Sequence, residues 1–127
     1  MLDCVIKPKG FTSSINQYTV SGFDEKRVCI TTSSIIEETA NALSNPKFRE
    51  SVKTFYRNIR RSPRVTILHV DPELWEKGWR LFSNRDDKYW SFTDCVSFVV
   101  MNERRIKNAL TSDKHFIQAG FSAMMQN

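Results

Sequence analysis

Three acidic side chains carry the chemical interest of this sequence. They are Glu38 in S-S-I-I-E-E-T-A-N-A-L, Asp94 in W-S-F-T-D-C-V-S-F-V-V-M and Asp113 in A-L-T-S-D-K-H-F. Asp94 poses the question most sharply, because it stands near the start of an almost entirely apolar segment, where an unpaired charge costs several kcal/mol or more. A helix end, a basic side chain or a metal ion would satisfy it. Like charges gathered together repel and raise one another's pKa unless a cation neutralises them. A cluster of carboxylate oxygens suits Mg²⁺ or Mn²⁺, and the chemistry such an ion brings is activation of water and stabilisation of charge on a phosphoryl group. Each acid also has an ordinary structural use. Ser91-x-x-Asp94 has the form of a capping box, an acid in a first helical turn is favoured by the dipole, and Asp113 suits an N-cap. Both readings stay open on these residues alone.

For acids so far apart in sequence to meet, the fold must carry them to one edge. R-V-C-I-T-T (Arg27 to Thr32) predicts a buried strand. The segment that follows has Ile35, Ile36, Thr39, Ala42 and Leu43 at helical spacing, and Ser34-x-x-Glu37 predicts its capping box, with Glu38 in the first turn. Asn45-Pro46 interrupts it. Phe48 to Arg61 is an amphipathic helix with Phe48, Val52, Phe55, Tyr56 and Ile59 on one side. Ser62-Pro63 ends it, and Arg64 to Val70 predicts a second buried strand. Asp71-Pro72 is an N-cap followed by proline at the first helical position. The helix it starts runs through Leu74, Trp75, Gly78, Trp79, Leu81 and Phe82, aromatics that read as packing residues. A charged loop (Ser83 to Lys88) precedes the helix from Ser91 to about Arg105. A last strand (Asn108 to Thr111) leads to a short helix around His115 to Gln118. A strand within Met1 to Ile6 is expected, and Lys7 to Gly22 keeps no sustained period. Strands alternating with helices predict an α/β sandwich around a short, largely parallel sheet. Strand C-termini and the helix N-termini that follow share one edge, where such folds keep their sites.

The bulk composition narrows the class. A chain of 127 residues with 40% apolar and 26% charged content reads as one soluble domain spanning 1–127. No apolar run approaches the roughly 20 residues of a membrane span, and no signal-peptide pattern opens the sequence, so the expected compartment is the cytoplasm. Cys4, Cys29 and Cys95 are odd in number and form no C-x-x-C pair, which predicts reduced core thiols rather than a disulfide framework or zinc knuckle. His69 and His115 lack zinc-ligand spacing, and His115 reads as a surface residue. No serine or cysteine nucleophile pattern and no glycine-rich phosphate loop is present. A net charge of +5 and a pI near 9.3 point to polyanionic partners. Lys53, Arg57, Arg60, Arg61 and Arg64 are the candidates for phosphate contacts, the alternative being a solvated face.

The same acidic blocks resemble a PIN domain of the VapC toxin type. E-E-T-A-N-A-L, W-S-F-T-D-C-V-S-F, A-L-T-S-D-K-H-F and A-G-F carry the likeness, from about Lys26 to Phe121. The resemblance implies a three-layer α/β/α fold and a Mg²⁺- or Mn²⁺-dependent endoribonuclease acting on RNA, the toxin of a type II pair with a cognate antitoxin and a possible homodimer. It implies that Glu38, Asp94 and Asp113 are catalytic and metal-ligating acids, with Thr93 orienting water beside Asp94. PIN domains open with an apolar strand ending in Asp, then Thr or Ser, then a helix. Here residues 1–25 match poorly: the candidate acid is Asp3 in M-L-D-C, and Cys4 replaces the hydroxyl residue. That departure points to a truncated, frameshifted or divergent start. It motivates the alternative, a PIN-like remnant that binds RNA or protein without cutting.

Overall fold

The computed structural model describes residues 2–8 and 27–125. Its elements alternate as the sequence predicts. In chain order they are β1 (Cys4–Ile6), β2 (Cys29–Thr32), α1 (Ser33–Ala42), α2 (Arg49–Arg61), β3 (Val65–Leu68), α3 (Pro72–Asn84), α4 (Phe92–Arg104), β4 (Asn108–Leu110), α5 (Lys114–Gln118) and β5 (Ser122–Ala123). A 3-10 turn, Pro46–Phe48, leads into α2. The five strands lie in the order β3-β2-β1-β4-β5, and every pairing is parallel. The shortest apolar run at the N-terminus is therefore the central strand, with Cys4, Val5 and Ile6 wholly buried.

Alternation along the strands divides the core into two layers. Val5, Ile30 and Ala109 face α4 and α5, where Val96, Phe98, Met101 and Phe116 complete one cluster. Cys4, Ile6 and Cys29 face the other way, onto Phe55 and Ile59 of α2. Helices cover both faces of the sheet, giving the α/β/α sandwich. Gly78 lets α3 lie against α4, since a Cβ there would come within 2.7 Å of Val96 Cγ2. No helix of the described residues is long and apolar enough to cross a membrane.

Several local expectations are corrected. Thr32, not Ser34, caps α1, its hydroxyl accepting from the Ile35 amide, so Glu38 falls in the second turn. β3 is a partly exposed edge strand rather than a buried one. On α3 the buried residues are Leu74 and Gly78, while Trp75, Trp79 and Phe82 are 52%, 51% and 39% exposed and stack with Phe92. Cys4 and Cys29 are joined as a disulfide, contrary to the expectation of reduced thiols. Their facing register on β1 and β2 puts the Cα atoms 4.8 Å apart, a relation that chain position alone does not reveal. Cys95 stays a buried thiol, its pKa pushed up to about 11 by burial and by the neighbouring Asp94 charge.

Candidate active site

Asp94 and Asp113 are both helix caps and pocket residues, because a carboxylate has two oxygens to divide. Asp94 Oδ2 accepts from the Ser91 amide at 3.1 Å while Ser91 Oγ accepts from the Asp94 amide, a complete capping box on α4. Asp94 Oδ1 is left buried with no hydrogen bond. Asp113 Oδ1 caps α5 by accepting from the His115 amide at 2.9 Å, and Oδ2 turns inward. The two helices are held in register by Phe98, whose ring packs edge-on between Trp90 at 5.0 Å and Phe116 at 4.9 Å, and by Trp90 Nε1 donating to Gln118. Burying rings of this size contributes about 2 kcal/mol each. Glu38 reaches the same place from α1, with Ser91 Oγ donating to its Oε2 at 3.5 Å.

At the centre stands a residue that the sequence did not single out. Lys7, the residue immediately after β1, places Nζ 3.4 Å from Glu38 Oε1, 3.4 Å from Asp94 Oδ1 and 3.0 Å from Asp113 Oδ2. Its own backbone continues the central strand, the Lys7 amide donating to Leu110 O. Only 5% of Lys7 is exposed. Burial pulls its pKa down, but attraction from Asp94 and Glu38 and the bond to Asp113 outweigh it, so the ammonium lies above the ordinary lysine value. For Asp113, burial pushes upward. The His115 amide, the Lys7 hydrogen bond and the nearby positive charge overcome it and hold the carboxyl below the usual aspartate range.

His115 completes the cluster. Its Nδ1 lies 2.9 Å from Asp94 Oδ2 and 3.5 Å from Asp113 Oδ1. A carboxylate only accepts, so Nδ1 carries the proton in the Asp94 bond. Ligand atoms of Asp94, Asp113 and His115 fall within 4.8 Å of one another, a spacing open to a metal ion. Neither Lys7 nor His115 was found from the sequence. The available signals were position alone: Lys7 ends the apolar strand C-V-I, and His115 stands two residues after a helix-capping aspartate.

The remaining candidates lie elsewhere. Asp3 is at the opposite end of β1, where it donates its amide to Val28 O and accepts from the Val28 amide through Oδ2. Four residues of extended chain, about 13 Å, separate it from Lys7, so Asp3 does not join the acids. The reason is register: the strand runs toward the pocket from Cys4, and the side chain delivered there is a lysine. Thr93 is half-buried in the first turn of α4, and the bonds that orient Asp94 come from Ser91 and His115. Arg57, Arg60, Arg61 and Arg64 are exposed. The first three, with Lys53 and Tyr56, line a groove of about 490 Å³. They sit on the last turns of α2, which feed the start of β3, and so lie at the sheet edge opposite the acids.

The family model described as PIN domain matches residues 9–122, reaching further toward the N-terminus than the residue-level likeness. The protein named 23S rRNA-specific endonuclease VapC20 of Mycobacterium tuberculosis, from strains CDC 1551 / Oshkosh and ATCC 25618 / H37Rv, is 40% identical over 63 residues, 50% of this chain and 48% of the relative. By this measure the chain spans about half the length of the curated relatives it matches. The crystal structure of M. tuberculosis VapC20, described as a sarcin-ricin loop cleaving toxin, superposes with a TM-score of 0.74 at 25% identity, covering 94% of this chain and 96% of that one.

Proposed function

Because the chain belongs to the PIN domain family, we propose that it is a metal-dependent endoribonuclease of the toxin type, working at the pocket of Glu38, Asp94 and Asp113. One observation carries this reading: carboxylates from three separate elements converge on a single point, and Asp94 Oδ1 is buried there without a hydrogen-bond donor. Such a donor set fits a hard divalent cation. Glu38, Asp94 and Asp113 would hold Mg²⁺ or Mn²⁺, which when bound supplies activation of water and neutralisation of charge on the phosphoryl oxygens.

The chain's own residues do the positioning. Ser91 fixes Asp94 through its amide and Glu38 through its hydroxyl. The proton on His115 Nδ1 holds Asp94 Oδ2, so that Oδ1 faces the pocket. Thr93 beside Asp94 would orient water at the rim. The substrate class is RNA, and the name of the VapC20 relatives makes the sarcin-ricin loop of 23S rRNA the first probe. The exposed aromatic face of Trp75, Trp79 and Phe82 supports a protein partner, an antitoxin or a second copy.

Cleavage of that RNA hairpin is the test. Activity should require a divalent ion, disappear with EDTA and fall at least about 100-fold in Asp94→Asn. Cleavage that survives EDTA, or an Asp94→Asn protein as active as the parent, would remove the proposal. Lys7 motivates a second reading, a PIN-like module that binds RNA or protein without cutting; RNA retained on the wild-type chain but left intact at every metal concentration would select it.

A further inference from the structure

The pocket already contains a cation. Lys7 Nζ lies within 3.4 Å of an oxygen from each of Glu38, Asp94 and Asp113, and only 5% of the residue is exposed. An ammonium with three donors and no acceptor is matched to such a cage. Its position is set by the fold rather than by side-chain wandering, since β1 is the central strand and the Lys7 amide remains bonded to β4. A surface lysine would gain little from such pairs, but buried ones are screened far less.

Among the described residues, the Lys7 ammonium shares these three carboxylates with His115, whose Nδ1 lies 2.9 Å from Asp94 Oδ2 and 3.5 Å from Asp113 Oδ1. Asp94 Oδ1 makes a 3.4 Å ion pair with Lys7 yet no hydrogen bond, so it is held by attraction alone. A divalent ion directed at the same oxygens would meet Lys7 in the way, and two cations cannot share that space without strong repulsion.

We infer that Lys7 is a built-in counter-ion of the acid pocket, so that a divalent metal enters only by displacing it. The inference rests on the proposed reading of the pocket as a cation site and adds a residue that governs its occupancy. Metal binding should be weak in the wild type and strengthen when the lysine charge is removed.

Calorimetric titration of Mn²⁺ and Mg²⁺, without RNA, compares the wild type with Lys7→Met, which keeps an unbranched chain of similar length. Affinity should rise at least about tenfold in Lys7→Met, because a competing positive charge has gone. Equal affinity would overturn the inference. If the variant folds only with metal, its melting temperature must climb with Mn²⁺ much more steeply than that of the wild type, and parallel curves would count against displacement. Should Lys7→Met not fold at all, the wild type carries the test. The nitrogen-15 signal of the Lys7 ammonium must change in step with Mg²⁺ occupancy, and metal that binds without altering it would refute the idea. These readouts are separable from the nuclease reading. Absence of cleavage in both proteins would defeat that reading while a tenfold difference in metal affinity stood, and equal affinities would defeat the counter-ion while cleavage stood.

Discussion

The two charged regions of this molecule lie at opposite edges of one sheet and are built in contrary ways. At the C-terminal edge, Lys7, Glu38, Asp94, Asp113 and His115 come from four different stretches of chain and are locked by caps, ion pairs and ring stacking. At the N-terminal edge, Arg57, Arg60 and Arg61 come from two adjacent turns of α2 and stand in solvent. Arg60 lies over the Tyr56 ring at 5.5 Å, a contact within the same helix. The first region exists only once the sheet has formed, while the second would be nearly the same on an isolated helix. Charge that folding gathers against its own repulsion marks a site more specifically than charge that solvent already accommodates.

The sharpest way to break this comparison is to remove the pocket's cation. In metal-free buffer, Lys7→Met should lower the unfolding free energy by about 3–5 kcal/mol, since it takes the ammonium away from the buried Asp94 and Asp113 carboxylates. Urea denaturation at neutral pH measures it. A variant as stable as the parent would mean that the acids tolerate one another, and the pocket would then be no more demanding than the arginine groove.

Acid titration should come next in size. The Asp113 carboxyl is held below its ordinary value of 3.8, so the folded state binds that proton less readily than the unfolded chain. Its stabilisation is therefore present above about pH 4 and is lost as pH falls through the folded value. Lys7 works in the opposite sense: its pKa is raised above 10.5, so its contribution is complete below that pH and fades as pH rises through the folded value. Asp113→Asn keeps a good N-cap while deleting the charge. It should flatten the acid limb of a plot of denaturation midpoint against pH and leave the α2 arginines irrelevant to its shape.

How much of this was legible depends on whether the signal was local. Asp94 and Asp113 could be found because S-x-x-D and D before a short helix are patterns of neighbouring residues, and the structure shows that capping and pocket-facing are one arrangement. Glu38 is legible through the acidic block, although its helix is capped by Thr32, two residues before the Ser34 of the expected capping box. Lys7 was missed because a lysine after three apolar residues has no meaning until β1 is known to be the central strand. Strand order, like the pairing of Cys4 with Cys29, is set by tertiary register. The exposure of Trp75 and Trp79 was missed for a similar reason: helical spacing defines an apolar face but does not say whether anything covers it.

Ser91 tests the pocket's supports rather than its charges. Its hydroxyl accepts from the Asp94 amide and donates to Glu38, so Ser91→Ala should cost about 1 kcal/mol of stability, and Ser91→Gly only a few tenths. The nuclease reading adds that Ser91→Ala should reduce cleavage more than its stability loss explains, because two carboxylates lose a shared orienting group. A purely structural cap would leave the turnover of the folded fraction unchanged.

The smallest expected effect on the fold, and the most informative about the second region, comes from Arg60→Gln combined with Arg61→Gln. Both side chains are exposed at the edge away from the acids, so the denaturation midpoint should not move. If RNA bound at the acid pocket extends across the sheet edge to this groove, affinity should weaken similarly for all RNA sequences. The slope of log affinity against log salt should also become shallower by about one per lost phosphate contact. Cleavage at saturating RNA should be retained, because no arginine of the groove reaches the carboxylates. An unchanged salt slope would assign the groove to solvation alone and leave substrate binding to the acid edge, where Lys114 stands exposed beside Asp113.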